Sequence, residues 1–331
     1  MTQKISIEDV ALEAKVSITT VSRVINKVPT VSRDNKQRVE EAIKKLRFRP
    51  NVSAQRLARG FSNSIGLIIP RYEGVFQSFY AMELIRGVGS ACESLKLDLL
   101  LHISDGTSVL NTSNMGGVIF ADIIENKKQL DVAMEEGVPC IVVNNIPDSS
   151  KENYIAIDNK KGAQAAVEYL ISLGHKTIAT ITGGLITQAA QHRLEGYKQA
   201  LKQKGIPLKE DYIMKGDYSR RSARVAMEKL LKLEEPPAAV FVASDDMALE
   251  AIEVIIEKGL KVPEDISVVG FDDNPASIYG PVALTTVKQP LFEMAQLAVK
   301  ELNTAISGKK KSAVKTILPT ELVIRESCTH Q

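Results

Sequence analysis

The sequence predicts two architectures in one chain: an all-α head of helix-turn-helix type, and an α/β core of two doubly wound parallel-sheet lobes. Three observations predict it. Residues 1–60 carry three short apolar stripes at helical spacing. From residue 64 onward, short continuous apolar runs alternate with helical stretches. Charge is also divided unevenly between these two regions.

In the head, Ile7, Val10, Ala11 and Ala14 fall at i, i+3, i+4 and i+7, the spacing of one buried helix face. Ser6 precedes the run and Asp9 follows three residues on, close to a capping-box start. The helix must end near Lys15-Val16-Ser17, because the pattern resumes at once. Ser17 then caps a second helix whose inward face is Val21, Val24 and Ile25. A third stripe, Val39, Ala42, Ile43 and Leu46, starts from Ser32. Two short helices joined by a tight turn and supported by a third make a helix-turn-helix.

That pattern fits a helical bundle that binds nothing equally well, and charge decides between the two. Residues 1–60 hold 13 Lys/Arg against 6 Asp/Glu, a net of +7, while the remainder holds 29 against 34, a net of −5. The overall +2 conceals this division. A basic excess confined to a helix-turn-helix is the footprint of phosphate contacts. The second helix offers Thr19, Thr20, Ser22, Arg23 and Asn26, which can bond phosphates or base edges, Arg23 with the bidentate geometry that suits guanine. Ile18 and Thr19 stand at its exposed start, where base-edge readers lie. Ile18 can touch a thymine methyl; the competing reading is half-buried packing.

Between Pro50 and Gly60 there is room for about two helical turns, a length marginal in water without a stabilising partner. Leu57 is apolar, lacks an obvious core, and is flanked by Arg56 and Arg59. It reads either as a minor-groove wedge or as a linker residue packed on its neighbour domain.

In the core, Ile65–Ile69, Leu97–Ile103, Val118–Phe120, Ile141–Val143, Ile178–Ile181, Ala239–Val242 and Ile266–Val269 read as buried strands, with helices such as Ala163–Leu173, Leu194–Lys204 and Ala248–Lys258 between them. Continuous apolar strands separated by helices imply parallel sheets covered on both faces. About 265 residues exceed one comfortable core, so two lobes are expected. Ligands in such sheets sit outside the carboxyl ends of the strands. Arg193 follows the strand end Thr182-Gly183-Gly184, and Asp272 closes Ser267-Val268-Val269-Gly270-Phe271. A cation and a carboxylate facing one cleft suit a hydroxyl-rich ligand; either could instead be a surface charge or helix cap. Asp245 reads as a cap.

Several motifs, in order, give the chain a further identity. They are V-S-I-T-T-V-S-R-V-I-N at 16–26, R-F-R-P-N at 47–51, S-A-Q-R-L-A-R at 53–59, I-G-L-I-I-P at 65–70, L-G-H at 173–175, R-L-E-G-Y at 193–197, S-D-D-M-A at 244–248 and V-G-F-D-D at 269–273. Together they resemble the lactose-repressor (LacI/GalR) family of bacterial transcription regulators along nearly the whole chain. The resemblance implies a helix-turn-helix DNA-binding domain at 1–50, a hinge helix and linker at 51–62, and an effector-binding, dimerising core of periplasmic-binding-protein type I at 63–331. Its first lobe would span about 63–160 and 288–318, its second about 161–287 and 319–331.

The same resemblance assigns DNA contacts to Ser6, Ser17, Ile18, Thr19, Thr20, Ser22, Arg23, Asn26, Asn51, Ala54, Leu57 and Ala58, with Leu57 as the hinge wedge. It assigns the effector to Arg193 and Asp272, with Phe79, Ala121, Asn144, Ser244 and Gln289 as further cleft positions. Ser244 stands where many relatives carry Asn. The implied partners are a near-palindromic double-stranded DNA operator, a second copy of the chain, and a small effector: a sugar, sugar phosphate or nucleoside-like molecule. Repression is the implied sign, and a co-regulator protein is left open. No catalytic residue, metal or cofactor is implied.

Two segments depart from the family pattern. Residues 104–117 are short, polar and glycine-containing with no helical stripe, where relatives carry a full helix, so a loop or a single turn is expected. Residues 71–77 are slightly longer than usual. Both imply a remodelled pocket in the first lobe.

Other classes are disfavoured. Cys92, Cys140 and Cys328 are odd in number and scattered, and His102, His175, His192 and His330 share no ligand spacing. His175 reads as a structural hydrogen-bonder. No apolar run reaches membrane length and the polar N-terminus is no signal peptide, which places the protein in the cytoplasm, at the nucleoid, and argues against an exported solute-binding protein. A Rossmann-type oxidoreductase or a kinase needs G-x-G-x-x-G or a Walker A element after a strand, and neither occurs. The end at Gln331 without a leucine heptad argues against the coiled coil that makes some relatives tetramers.

Overall fold

A computed structural model describes residues 6–25, 30–46, 48, 63–147, 151–307 and 313–331. The chain divides into two units, Met1–Asn63 and Ser64–Gln331.

In the first unit, α1 (Ile7–Ala14), α2 (Ile18–Ile25) and α3 (Arg33–Lys45) form where the stripes predict them. The capping box is complete: the Ser6 amide donates to Asp9 Oδ2 at 2.7 Å and the Asp9 amide to Ser6 Oγ at 3.3 Å. Lys15, at φ 53°, ends α1 in the left-handed region. Ser17 Oγ accepts from the Thr20 amide at 3.1 Å, and Ser32 Oγ from Asn35 at 3.4 Å. Val10, Ala11, Ala14, Val21, Val24, Val39 and Ala42 are buried together, with Ile7, Ile25, Ile43 and Leu46 packed at their edge.

The second unit contains two six-stranded sheets. The strands are β1 (Ser64–Pro70), β2 (Asp98–Ser104), β3 (Gly117–Ala121), β4 (Cys140–Val143), β5 (Tyr154–Ile157), β6 (Ile178–Ile181), β7 (Ile213–Met214), β8 (Ala239–Val242), β9 (Ser267–Asp272), β10 (Thr285–Lys288), β11 (Lys315–Leu318) and β12 (Glu321–Val323). The first sheet runs β11-β5-β4-β3-β1-β2 and the second β12-β10-β9-β8-β6-β7. The helices are α4 (Phe79–Leu95), α5 (Lys127–Glu135), α6 (Asn159–Ser172), α7 (Gln188–Gln203), α8 (Arg220–Leu230), α9 (Asp245–Glu257) and α10 (Leu291–Ile306).

The chain passes between sheets after β5, after β10 and between β11 and β12. All pairings are parallel except β10 with β12. This exception departs from the all-parallel expectation, and the crossing explains it. β11 ends beside the other parallel carboxyl ends, and Pro319-Thr320 carry the chain straight across. The next strand therefore enters the second sheet from the end where β10 leaves it.

Helices α6, α7 and α9 begin at residues 159, 188 and 245, three to six residues before the apolar stripes that announce them. Their first turns are polar and are fixed by caps from Asp158, Thr187 and Ser244. Ser244 is the cap of α9, accepting from Met247, so the cap assigned to Asp245 is corrected: Asp245 is the first helical residue and is fully buried.

Residues 105–116 form no helix. Leu110 and Met115 are buried there, Met115 lying so close over Gly66 that a Cβ at that glycine would sit 2.6 Å from its sulfur. Ser104 and Ser108 are tied to the Gln129 amide at 3.0 and 2.7 Å. Two side chains and two polar bonds thus do the covering that a helix would do.

Candidate functional site

The carboxyl ends of the parallel strands in both lobes bring the candidate residues together. From the first lobe come Ala121 and Asp122 after β3, and Asn144 and Asn145 after β4; Phe79 and Tyr80 open α4. From the second come Arg193 in the second turn of α7, Ser244 after β8, Asp272 closing β9 and Gln289 after β10.

Arg193 is 4% exposed, and two of its three nitrogens are hydrogen-bonded. Its Nε donates to Asn159 Oδ1 at 2.8 Å and its Nη1 to the Ala243 carbonyl at 2.6 Å. Nη1 also lies 3.8 Å from Asp272 Oδ1, and the guanidinium sits over the Phe271 ring, 3.7 Å from its centroid. The ring and the carboxylate hold the cation in one orientation at the cleft floor.

Asp272 in turn accepts from Gln289 Nε2. That bond fixes the Gln289 amide, so its Oε1 is held as an acceptor. The atom is buried without a partner, as is Asn144 Oδ1. Both side chains are more than nine-tenths buried. The Tyr80 hydroxyl, beside the Asn144 amide, also has no partner of hydrogen-bonding geometry among the described residues. Buried polar atoms are normally paired, so unpaired atoms gathered at one place mark where a ligand belongs.

Backbone strain collects at the same place. Among the described residues, seven that are not glycine have left-handed φ. Lys15 and Lys96 end helices; the other five are Asp122 (74°), Asn144 (64°), Tyr218 (72°), Asp272 (139°) and Asp273 (59°). Such conformations cost energy and persist where the surroundings dictate them, most often at functional sites.

The site is acidic. Burial pushes the Asp272 carboxyl well above the usual range, against the lowering effect of Arg193. Asp245 is raised for the same reason, though Thr286 Oγ1 (2.5 Å) and the Asn274 amide (2.7 Å) donate to it. Gly270 makes room for it, since a Cβ there would lie 2.3 Å from Asp245 Oδ1. Asp122 is pushed up to about 6 by burial. Asp122 and Arg193 act in opposite directions on the Tyr80 phenol, and Arg193, Asp272 and Asp122 on that of Tyr218.

The two lobes touch directly here. Gln188 Nε2 donates to the Ile146 carbonyl at 2.9 Å, and the Ile146 amide donates to Gln188 Oε1 at 2.7 Å.

Of the effector set read from the sequence, Arg193, Asp272 and Gln289 form one bonded cluster, with Asn144 near by. Phe79 is half-buried in the first turn of α4, Ala121 is fully buried, and Ser244 is occupied as a cap. Asp122, Tyr80, Tyr218 and Gln188 were not legible as site residues. Asp122 follows an apolar strand immediately, and that was the available signal.

In the first unit, Ile18, Thr19 and Arg23 are exposed on α2, and Thr20 and Ser22 are half-buried. Ile18 is 48% exposed, about half of its surface being covered. Ser6 and Ser17 serve as helix caps. Asn26, Asn51, Ala54, Leu57 and Ala58 lie outside the described residues.

Comparison with known proteins agrees with this geometry. Residues 6–51 match the model of bacterial regulatory proteins of the lacI family, and residues 167–328 that of the periplasmic binding protein-like domain. The chain is 37% identical, over 98% of both chains, to the probable HTH-type transcriptional repressor ExuR of Bacillus subtilis (strain 168). The chain belongs to the LacI family. It is accordingly a DNA-binding transcriptional regulator, not an enzyme. Among solved structures, the lac repressor dimer bound to operator and the anti-inducer ONPF superposes with a TM-score of 0.84 at 28% identity, covering 99% of this chain and 100% of that one. The transcriptional regulator CelR in complex with cellobiose gives 0.75 at 31%, covering 98% and 99%. Among the described residues, no helix of this LacI-family regulator is long and apolar enough to cross a membrane.

Proposed function

We propose that this regulator is a homodimeric repressor whose interlobe cleft binds a small hydroxyl-rich effector, and whose two heads read the halves of a near-palindromic operator at the nucleoid. The unpaired buried acceptors Asn144 Oδ1 and Gln289 Oε1, set around the Arg193–Asp272 pair, carry the effector half of this reading. Arg193, Asp272, Asn144 and Gln289 contact the ligand; Phe79, Ala121 and Ser244 shape its surroundings.

Exposed Ile18, Thr19 and Arg23 support major-groove reading by α2, with Thr20 and Ser22 beside them. Ser6 and Ser17 would place their caps against phosphate. The assignments of Asn26, Asn51, Ala54, Leu57 and Ala58 rest on sequence alone. So do the domain boundaries at 50 and 62. Tyr279 and Ile278, 81% and 47% exposed at the end of a 3-10 turn on the second lobe, support burial against a second copy. Effector-driven movement of the lobes would alter the spacing of two hinges, and so the operator affinity.

A gel shift tests the reading. The full chain retards a palindromic operator fragment taken from its own promoter region and residues 64–331 do not. Equal retardation by the truncated core would refute the head assignment. Arg193→Ala removes the effector response while leaving basal retardation intact, and a normal response would refute the cleft assignment.

A further inference from the structure

The charges and the free acceptors of the cleft narrow the chemistry of its ligand. Arg193, the cation at the cleft floor, lies 3.8 Å from Asp272 and is covered by Phe271. Its nitrogens are further occupied by Asn159 and the Ala243 carbonyl. Arg71 is paired with Asp105 at 3.3 Å and Arg325 with Asp273 at 2.5 Å. Against these stand Asp122 and Asp245. Both are buried, and among the described residues neither has a cation in salt-bridge range.

Asp122 is the telling member. It is 7% exposed and held at φ 74°, and the Ile123 amide (2.6 Å) and Asn145 Nδ2 (3.2 Å) donate to its Oδ1. A buried carboxylate with neutral donors alone is costly to keep, and such a group persists where something else rewards it.

The remaining unpaired groups add direction. Gln289 Oε1 is fixed as an acceptor by the bond its own nitrogen makes to Asp272. Asn144 Oδ1 is a second acceptor. With Asp122 these oxygens give the cleft three acceptor side chains, beside the Tyr80 hydroxyl, which can donate or accept.

Resting on the effector reading above, we propose that the cleft admits an uncharged or ammonium-bearing polyol and rejects anionic sugars, with Asp122 as the residue that discriminates. Hydroxyl or ammonium groups satisfy Asp122, Asn144 and Gln289. A carboxylate or phosphate meets an uncompensated like charge beside a buried carboxylate, where repulsion is stronger than in bulk water. This excludes the sugar phosphates that the family likeness alone would allow.

The test is a thermal-shift and calorimetry panel on the full chain at pH 7.5. It presents common mono- and disaccharides, each as the neutral, amino, uronic-acid and phosphorylated form. Expected hits fall among the neutral and amino members, are lost in Arg193→Ala, and leave the acidic members at least tenfold weaker. Asp122→Asn then raises affinity for the acidic member of the best-bound series about tenfold, the effect of one uncompensated charge. A wild-type hit on a uronate or sugar phosphate that Arg193→Ala abolishes overturns the charge rule and leaves the cleft assignment standing. Hits untouched by Arg193→Ala overturn both. A panel without a neutral or amino hit, or an Asp122→Asn variant with unchanged selectivity, overturns the proposal.

Discussion

Gln188 and Ile146 hold each other across the cleft by two hydrogen bonds of 2.9 and 2.7 Å, one donated by the side-chain amide and one by the backbone. The pair joins α7 of the second lobe to the segment after β4 of the first. Separation of the lobes at this point would break both bonds. Each bond contributes about 1 kcal/mol net. Gln188→Ala is expected to shift the lobes toward the open form and weaken effector binding about tenfold, read by calorimetry and by an increase in radius of gyration in solution scattering. An unchanged radius with unchanged affinity would contradict this.

Arg193→Ala leaves Asp272 buried without its cation and strips the cover from Phe271. Removing one partner of a buried pair costs about 3–5 kcal/mol. Urea denaturation of the full chain should show a marked loss in the core transition. Arg193→Lys restores the charge but cannot reproduce both the Asn159 bond and the stacking, so it should recover only part of that loss.

Asp122 binds its proton more tightly when folded, at about 6 against an ordinary 3.8. The folded core is therefore penalised as pH rises from about 4 to about 6, and the penalty is complete above that. Asp122→Asn should raise the melting temperature at pH 7.5 by several degrees, a gain of at most about 3 kcal/mol. The difference should vanish near pH 4. Equal melting temperatures at both pH values would contradict the raised value.

Gly196 lies where α7 crosses α6, and a Cβ there would sit 2.3 Å from the Lys160 carbonyl. Backbone cannot yield as a side-chain tip can. Gly196→Ala should push the helices apart and destabilise the core by about 1–3 kcal/mol, measured by chemical denaturation. Gly137→Ala meets no atom within 4 Å and serves as a control for lost glycine, although its φ of 76° adds strain of its own.

Ser6→Ala removes the Oγ that accepts from Asp9 and opens the capping box of α1. It should cost about 1 kcal/mol of head stability, followed by circular dichroism of the isolated head.

The sequence by itself determined the local and the periodic. Ile7, Val10, Ala11 and Ala14 announced α1 and Ser6 its start, because capping and amphipathic spacing are properties of neighbours along the chain. Most central strands were legible for the same reason, since strands covered on two faces must be apolar throughout; Leu97–Ile103, read as buried, is instead the edge strand β2 with Asp98, Leu101 and His102 exposed, and β5 went unread. The missing helix between β2 and β3 was legible from the absence of a stripe. Arg193 and Asp272 stood out through the family motifs around them.

Only the tertiary structure decided the rest. β10, β11 and β12 are short and mixed in polarity, and became strands by pairing with distant partners. The reversed direction of β12 followed from where the chain crosses between lobes. Asp245 changed from a cap to a buried acceptor because Thr286 and Asn274 meet it in space. Asp122 and the Gln188–Ile146 pair had no sequence signature, since a residue's burial and its cross-lobe partners depend on segments far from it in the chain. The charge of the cleft belongs to that second class: each aspartate is ordinary in sequence, and only their convergence around one arginine makes the site rich in carboxyls.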